Sequence, residues 1–154
     1  MASKTRSILA AIKTALQAIN GSGVYSYNLS STDQVQIGRP RPENTIFPSA
    51  WINIGSLQGI SGDALINMRR TLVVELEGRV SPSAQTAEER GLAATDLLDD
   101  LVTALESDQS LGGLADNLEV SGIALDGDEV GLGSYGVAYA QVAVTWEQQR
   151  GTGL

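Results

Sequence analysis

Between residues 87 and 105 the apolar side chains fall on one stripe. Ala87, Gly91, Ala94, Leu98, Leu101 and Leu105 step by four, three, four, three and four, with Leu97 and Val102 widening the band. Glu88, Glu89, Asp96, Asp99, Asp100 and Glu106 occupy the remainder, so the spacing predicts a helix with one apolar face and one acidic face. Such a helix needs an apolar surface to lie on, and the segments around it alternate with period two. Before it, Leu72, Val74, Leu76 and Val80 point one way, while Thr71, Val73, Glu75, Glu77 and Arg79 point the other, with Gly78 as an expected bulge. After it come a strand over about Leu118 to Leu125 and a second over Tyr135 to Trp146, in which Ala138, Ala140, Val142, Val144 and Trp146 share a face.

The rest of the chain completes that plan. Ser3 precedes Ile8, Leu9, Ile12, Leu16 and Ile19 at helical spacing, and Asn20-Gly21 supplies a stop. Val35 to Ile37 forms a short strand, ended by Gly38-Arg39-Pro40-Arg41-Pro42, because each proline removes a donor and extends its predecessor. Ala50 to Ile54 is a strand, and Gly55 to Asn67, with three glycines, is expected to be a long hairpin loop. Ser81-Pro82-Ser83 is expected to cap the second helix, and Leu111-Gly112-Gly113 to break it. The order helix, short strand, hairpin, helix, hairpin points to an α+β two-layer sandwich: an antiparallel or mixed sheet with both helices packed on one face. The other face is then open, with Val73, Val137 and Tyr139 on it, an invitation to a partner or a neighbouring copy. At 154 residues this is one domain, 1–154, with no internal repeat.

Composition narrows the chemistry. With no histidine and no cysteine, histidine bases, thiolate nucleophiles, disulfides and nearly all zinc or iron–sulfur sites are excluded. Seven aromatic residues are too few for an extensive base-stacking surface. No segment approaches the length of apolar chain that spans a bilayer, and the N-terminal helix is interrupted by Lys13, Thr14 and Gln17, so a cytoplasmic setting is expected. The formal charge of −8 is unevenly spread: residues 1–79 carry +3 and residues 80–154 carry −11. A solvated acidic helix accounts for much of that imbalance, and faces made for different partners would account for it too.

Glu75 and Glu77, two apart on one strand face, are the pair a glycosidase or a divalent metal site would use, but pairing with Arg69, Arg70 or Arg79 is the simpler reading. Asp126, Asp128 and Glu129 lie in a turn whose spacing is not that of an EF-hand. Neither glycine run, 55–62 or 131–133, has the dinucleotide or phosphate-loop pattern. Arg39 and Arg41, held stiff by prolines, suit a phosphate clamp or docking on an acidic surface, and equally an ordinary surface loop. Trp51 and Asn53 share a strand face, as interface residues or, for Trp51, as core.

Taken in order, several pieces resemble a known family. They are the N-terminal helix ending near Gly23-Val24-Tyr25, the Val35-Gln-Ile-Gly38 strand, and Phe47-Pro48-Ser-Ala-Trp51-Ile-Asn-Ile54. Arg69-Arg70-Thr-Leu-Val-Val-Glu75, the acidic helix closing on Leu111-Gly112-Gly113, and the alternating last strand follow. Across nearly the whole chain this resembles the tail terminator proteins of long-tailed bacteriophages and gene transfer agents, the lambda-type minor tail, tail-completion family. The resemblance implies a small α/β protomer without enzymatic activity or cofactor, forming a homo-oligomeric, hexameric ring on the end of the tail tube in a virion assembled in the host cytoplasm. The ring stops polymerisation of the tube protein and presents a surface to the head-completion (neck, stopper) protein, while DNA passes through the lumen without specific binding and no membrane is involved. On that basis the contacts to tube, head or neighbouring subunit are expected at Arg39, Arg41, Ser56, Leu57, Gln58, Ile60, Asp63 and Leu65, and the lumen lining at Asp126, Asp128 and Glu129. The alternatives are another head–tail joining adaptor or minor tail protein, and a small carboxylate enzyme built on Glu75 and Glu77.

Overall fold

The computed structural model describes residues 3–40, 46–60 and 67–149. The elements run α1 (Lys4–Gln17), β1 (Val35–Ile37), β2 (Ser49–Ile60), β3 (Asn67–Val80), α2 (Ala87–Glu106), β4 (Asn117–Asp126) and β5 (Gly136–Gln149). One five-stranded sheet has the order β1-β2-β3-β5-β4, with β1 parallel to β2 and the other pairs antiparallel. Both helices lie on one face of it, so the fold is the expected α+β two-layer sandwich with a mixed sheet.

The core between the layers is aliphatic. Ile8, Ile12 and Leu16 of α1 and Leu97, Leu101 and Leu105 of α2 meet Ile52, Leu72, Val74 and Leu76, together with Val142, Val144 and Trp146 of β5. All are essentially inaccessible to water. Ser3 caps α1, its hydroxyl accepting from the Arg6 amide at 3.2 Å. Gly78 is not a bulge: its register with Ala50 and Ala138 is unbroken, and it lies beneath α2, where an added Cβ would come within 2.9 Å of Leu97 Cδ2. It is small so that the helix can approach the sheet.

Two other expectations need correction. The cap of α2 is Thr86, accepting from the Glu89 amide at 3.2 Å, rather than the Ser81-Pro82-Ser83 stretch. Most of the expected 55–67 loop is strand. After a one-residue slip between Asn53 and Ser56 the ladder resumes and pairs Ser56 with Val73 through Ile60 with Arg69. Gly55 makes the slip possible, since a Cβ there would fall 1.4 Å from the Val73 carbonyl oxygen. Glycine in a strand is locally a loop signal, but the backbone pairing across the hairpin outweighs it.

Helix α2 is buried along a slightly rotated stripe. Ala87 is exposed and Leu98 half-buried, whereas Asp100, expected on the polar side, is inside, as is Arg90. Asp100 is held there by the chain that follows α1. Its carboxylate accepts from the Ser26 amide at 3.0 and 3.1 Å and from the Tyr27 amide at 2.8 Å. It thereby supplies acceptors that the irregular 20–31 segment lacks within itself.

Candidate functional site

The face of the sheet opposite the helices has two unlike ends. At the first, Trp51 of β2 is fully buried although no helix covers it. The Arg79 guanidinium lies 4.7 Å from the centroid of the Trp51 ring and 4.7 Å from that of Tyr135. Phe47 packs on Tyr135 with centroids 5.4 Å apart, and Arg39 reaches to 5.9 Å from Trp51. Arg79 also donates to Glu77 through Nε at 3.0 Å and Nη2 at 2.9 Å, and both side chains are buried. A buried carboxylate with its own guanidinium is a paired charge, and the aromatic rings shield it from water. Burial and then the Glu77 carboxylate push the Tyr139 phenol up from its ordinary value, so it remains a protonated donor at neutral pH. Ser49 Oγ and Trp51 Nε1 find no partner among the described residues, and both line a void of about 10 Å³, room for a single water molecule.

The second end is open and polar. Two shallow troughs of about 420 and 430 Å³ meet at Glu75 and Gln141. The first is walled by Ser121, Ile123 and Tyr139, the second by Asn53, Ser56, Gln58 and Val73. Neither is an enclosed cleft. Glu75 is exposed and has no ion pair among the described residues, so Glu75 and Glu77 do not form a free carboxylate pair: Glu77 belongs to Arg79. Of the three residues expected here, Val73 and Tyr139 are half-buried, and Val137 is fully buried beside Gly127.

The residues expected to make contacts divide into three groups. Arg39 belongs to the aromatic end of the open face. Ser56, Leu57 and Gln58 are exposed residues of β2, on strand rather than loop, while Ile60 is paired through its backbone with Arg69. Arg41, Asp63 and Leu65 lie outside the described residues. Among the three acidic residues of the β4–β5 turn, Asp128 and Glu129 are exposed, but Asp126 is not a surface group in the protomer. Its carboxylate is buried against Arg90, with Nε at 2.6 Å and Nη2 at 3.2 Å, and it also accepts from the Asp128 amide. The hydrogen bonds from Arg90 hold the Asp126 carboxyl below its ordinary value. Arg90 in turn donates to the Gln85 carbonyl at 2.8 Å, so this ion pair ties the start of α2 to the end of β4.

Arg79, Tyr135 and Phe47 come from three separate segments, so no local pattern marks them as a unit. The alternation of β3 did put Arg79 on this face; nothing local says that residues 47 and 135 will close over it. The Arg90–Asp126 pair was hidden in the same way, its members 36 positions apart.

The strand order also converts a property of the sequence into one of the surface. β1, β2 and β3 come from the +3 half and β5 and β4 from the −11 half, so the division runs along the seam between β3 and β5. One flank of the molecule carries α1, with Lys4, Arg6 and Lys13 and no acidic residue, and the Arg39 segment after β1. The opposite flank carries exposed Glu119, Asp128 and Glu129, with the acidic outer face of α2 above it.

Among the described residues no group of three or more potential metal ligands is clustered, and no helix is long and apolar enough to cross a membrane. No protein-family model matches the chain, and no curated protein matches it in sequence.

Proposed function

We propose that this chain is a structural subunit of a phage or gene transfer agent tail, forming a ring at the end of the tail tube that terminates tube growth and offers the docking surface for the head. The observation that carries this reading is the separation of charge across the sheet, with a basic flank at α1 and β1 and an acidic flank at β4. A ring is built from heterologous contacts, one side of a subunit against the other side of its neighbour, and opposed charges on the two flanks favour that pairing over like with like. The resemblance of the ordered sequence segments to tail terminators supplies the setting.

Two further features agree with a role that has no chemical step. The carboxylate pair that an enzyme reading would use is divided, Glu77 being neutralised in a buried pair and Glu75 standing alone on an open trough. The turn stays net negative, Asp126 and Asp128 sharing the single Arg90 and Glu129 being exposed, and so repels phosphates, as a passage through which DNA slides requires. The test is made in cells producing tails in a head-defective background. A terminator copurifies with those tails, and its removal gives tubes of uncontrolled length that join no heads. If the protein is found only on heads, the adaptor reading replaces this one.

A further inference from the structure

We propose that copies of this chain associate side by side, the β4 edge of one copy meeting the α1 and β1 flank of the next, so that the sheet continues from copy to copy. The proposal rests on the ring in the reading above, but not on the tail. β4 pairs with β5 without interruption from Asn117 to Asp126, and its other edge has no partner among the described residues. These ten residues of open edge contain no lysine, proline or bulge, and their one exposed charge is Glu119, so the protection they carry acts against acidic partners and not against basic ones. Ile123 stands on this edge strand at 56% exposure. At the far side of the sheet, β1 is the other open edge among the described residues, and its last residue, Ile37, is 42% exposed.

Charge selects the partner. Two β4 edges paired antiparallel, with the helices of both copies on one side, would set Asp116 and Glu119 of one copy toward the Asp128 and Glu129 end of the other, an acidic surface against itself. Against the other flank the signs are opposite, Lys4, Arg6, Lys13 and Arg39 outnumbering Asp33. The layers agree as well. Both helices lie on one face, so a copy that extends the sheet past β4 brings its α1 next to the side of α2 that lies over β4, where Leu98 and Val102 are half-buried. The same contact is available at every step, and the native twist between strands curves the row.

The absence of cysteine makes the test clean. Gln36 of β1 and Ser121 of β4 both lie on the helix-free face, opposite Trp51 and Gln141. With a short bismaleimide, the Gln36→Cys/Ser121→Cys double variant should give a ladder of trimers and higher species. Mixed single variants should stop at dimers, each single variant alone should stay monomeric, and adding Glu119→Lys should cut the ladder several-fold. An unchanged circular dichroism spectrum serves as the folding control. Dimers from Ser121→Cys alone would mean β4 against β4, and no product at about 1 mM protein, the weak limit of specific association, would mean a different partner; either result overturns the proposal. A ladder from a protein that does not cap tails removes the tail reading and leaves this contact standing. Tails capped by a protein that gives no ladder does the reverse.

Discussion

The two faces of the sheet are buried by different means. Beneath the helices, burial comes from aliphatic side chains at regular spacing: Ile8, Ile12 and Leu16 from one helix and Leu97, Leu101 and Leu105 from the other. On the far side the helix-free face buries Trp51 and Arg79 with a handful of residues brought from loops and strand ends, Tyr135 and Phe47 among them. The first is redundant and repetitive, and its stability is shared among many contacts. The second depends on single partners, because one charge pair and two rings hold the site, and the remainder of that face is left open for contacts with other molecules.

Substitutions can sharpen that contrast. Leu101→Ala, at a site with no solvent access, should cost about 3–5 kcal/mol in chemical denaturation, the range for an unfilled cavity in a close-packed core. Arg79→Ala leaves Glu77 buried without its counter-charge and should cost about 3 kcal/mol, whereas Glu77→Gln/Arg79→Met together should recover most of it. If the double variant is no better than the single, the pair is not what holds that end of the face. Asp100→Ala, which strips the acceptors from the Ser26 and Tyr27 amides, should cost about 2 kcal/mol and speed hydrogen exchange in residues 20–31 before the rest of the chain.

The fourth effect is confined to acid. The Asp126 carboxyl titrates lower in the folded chain than in the unfolded one, so its contribution is complete above the ordinary aspartate value of about 4 and is lost as pH falls through the lower folded value. Thermal melts should fall along an acid limb there, and Asp126→Asn should flatten it. Smallest of all, Glu75→Gln should change stability by less than about 0.5 kcal/mol, since an exposed carboxylate without an ion pair has little to lose. A larger change would show that the open trough is more than a surface.

The legible part of the fold was the part written in short periods. The face shared by Ala138, Ala140, Val142, Val144 and Trp146 is the buried face of β5, and Leu72, Val74 and Leu76 lie as their alternation requires. The less legible parts were positions where a local signal met a distant partner. Gly55 signals a turn in isolation, yet here it accommodates a bulge in a continuing ladder because the Val73 carbonyl is so close. Asp100 belongs by spacing to an acidic solvent face, yet it is drawn inward by backbone donors more than seventy residues earlier in the chain. Asp126 has by its neighbours the signature of a surface carboxylate in an acidic turn, yet it has Arg90 for a buried partner. Of the expected contact residues, Arg39 was placed by its own prolines in a basic segment, but its position over Trp51 depends on the parallel pairing of β1 with β2.

The set of elements, and the side of each that turns inward, follow from local order alone, because hydrophobic periodicity acts over a few residues and needs no knowledge of the fold. The sequence also carries the unequal charge of the two halves. Where that charge lies depends on the strand order. The order β1-β2-β3-β5-β4 sets the halves side by side, with the basic α1 and β1 flank at one edge and acidic β4 at the other. Strand pairing is a long-range choice, made when side chains far apart in the chain are buried together, and it is that choice which turns a count of charges into two surfaces that can meet.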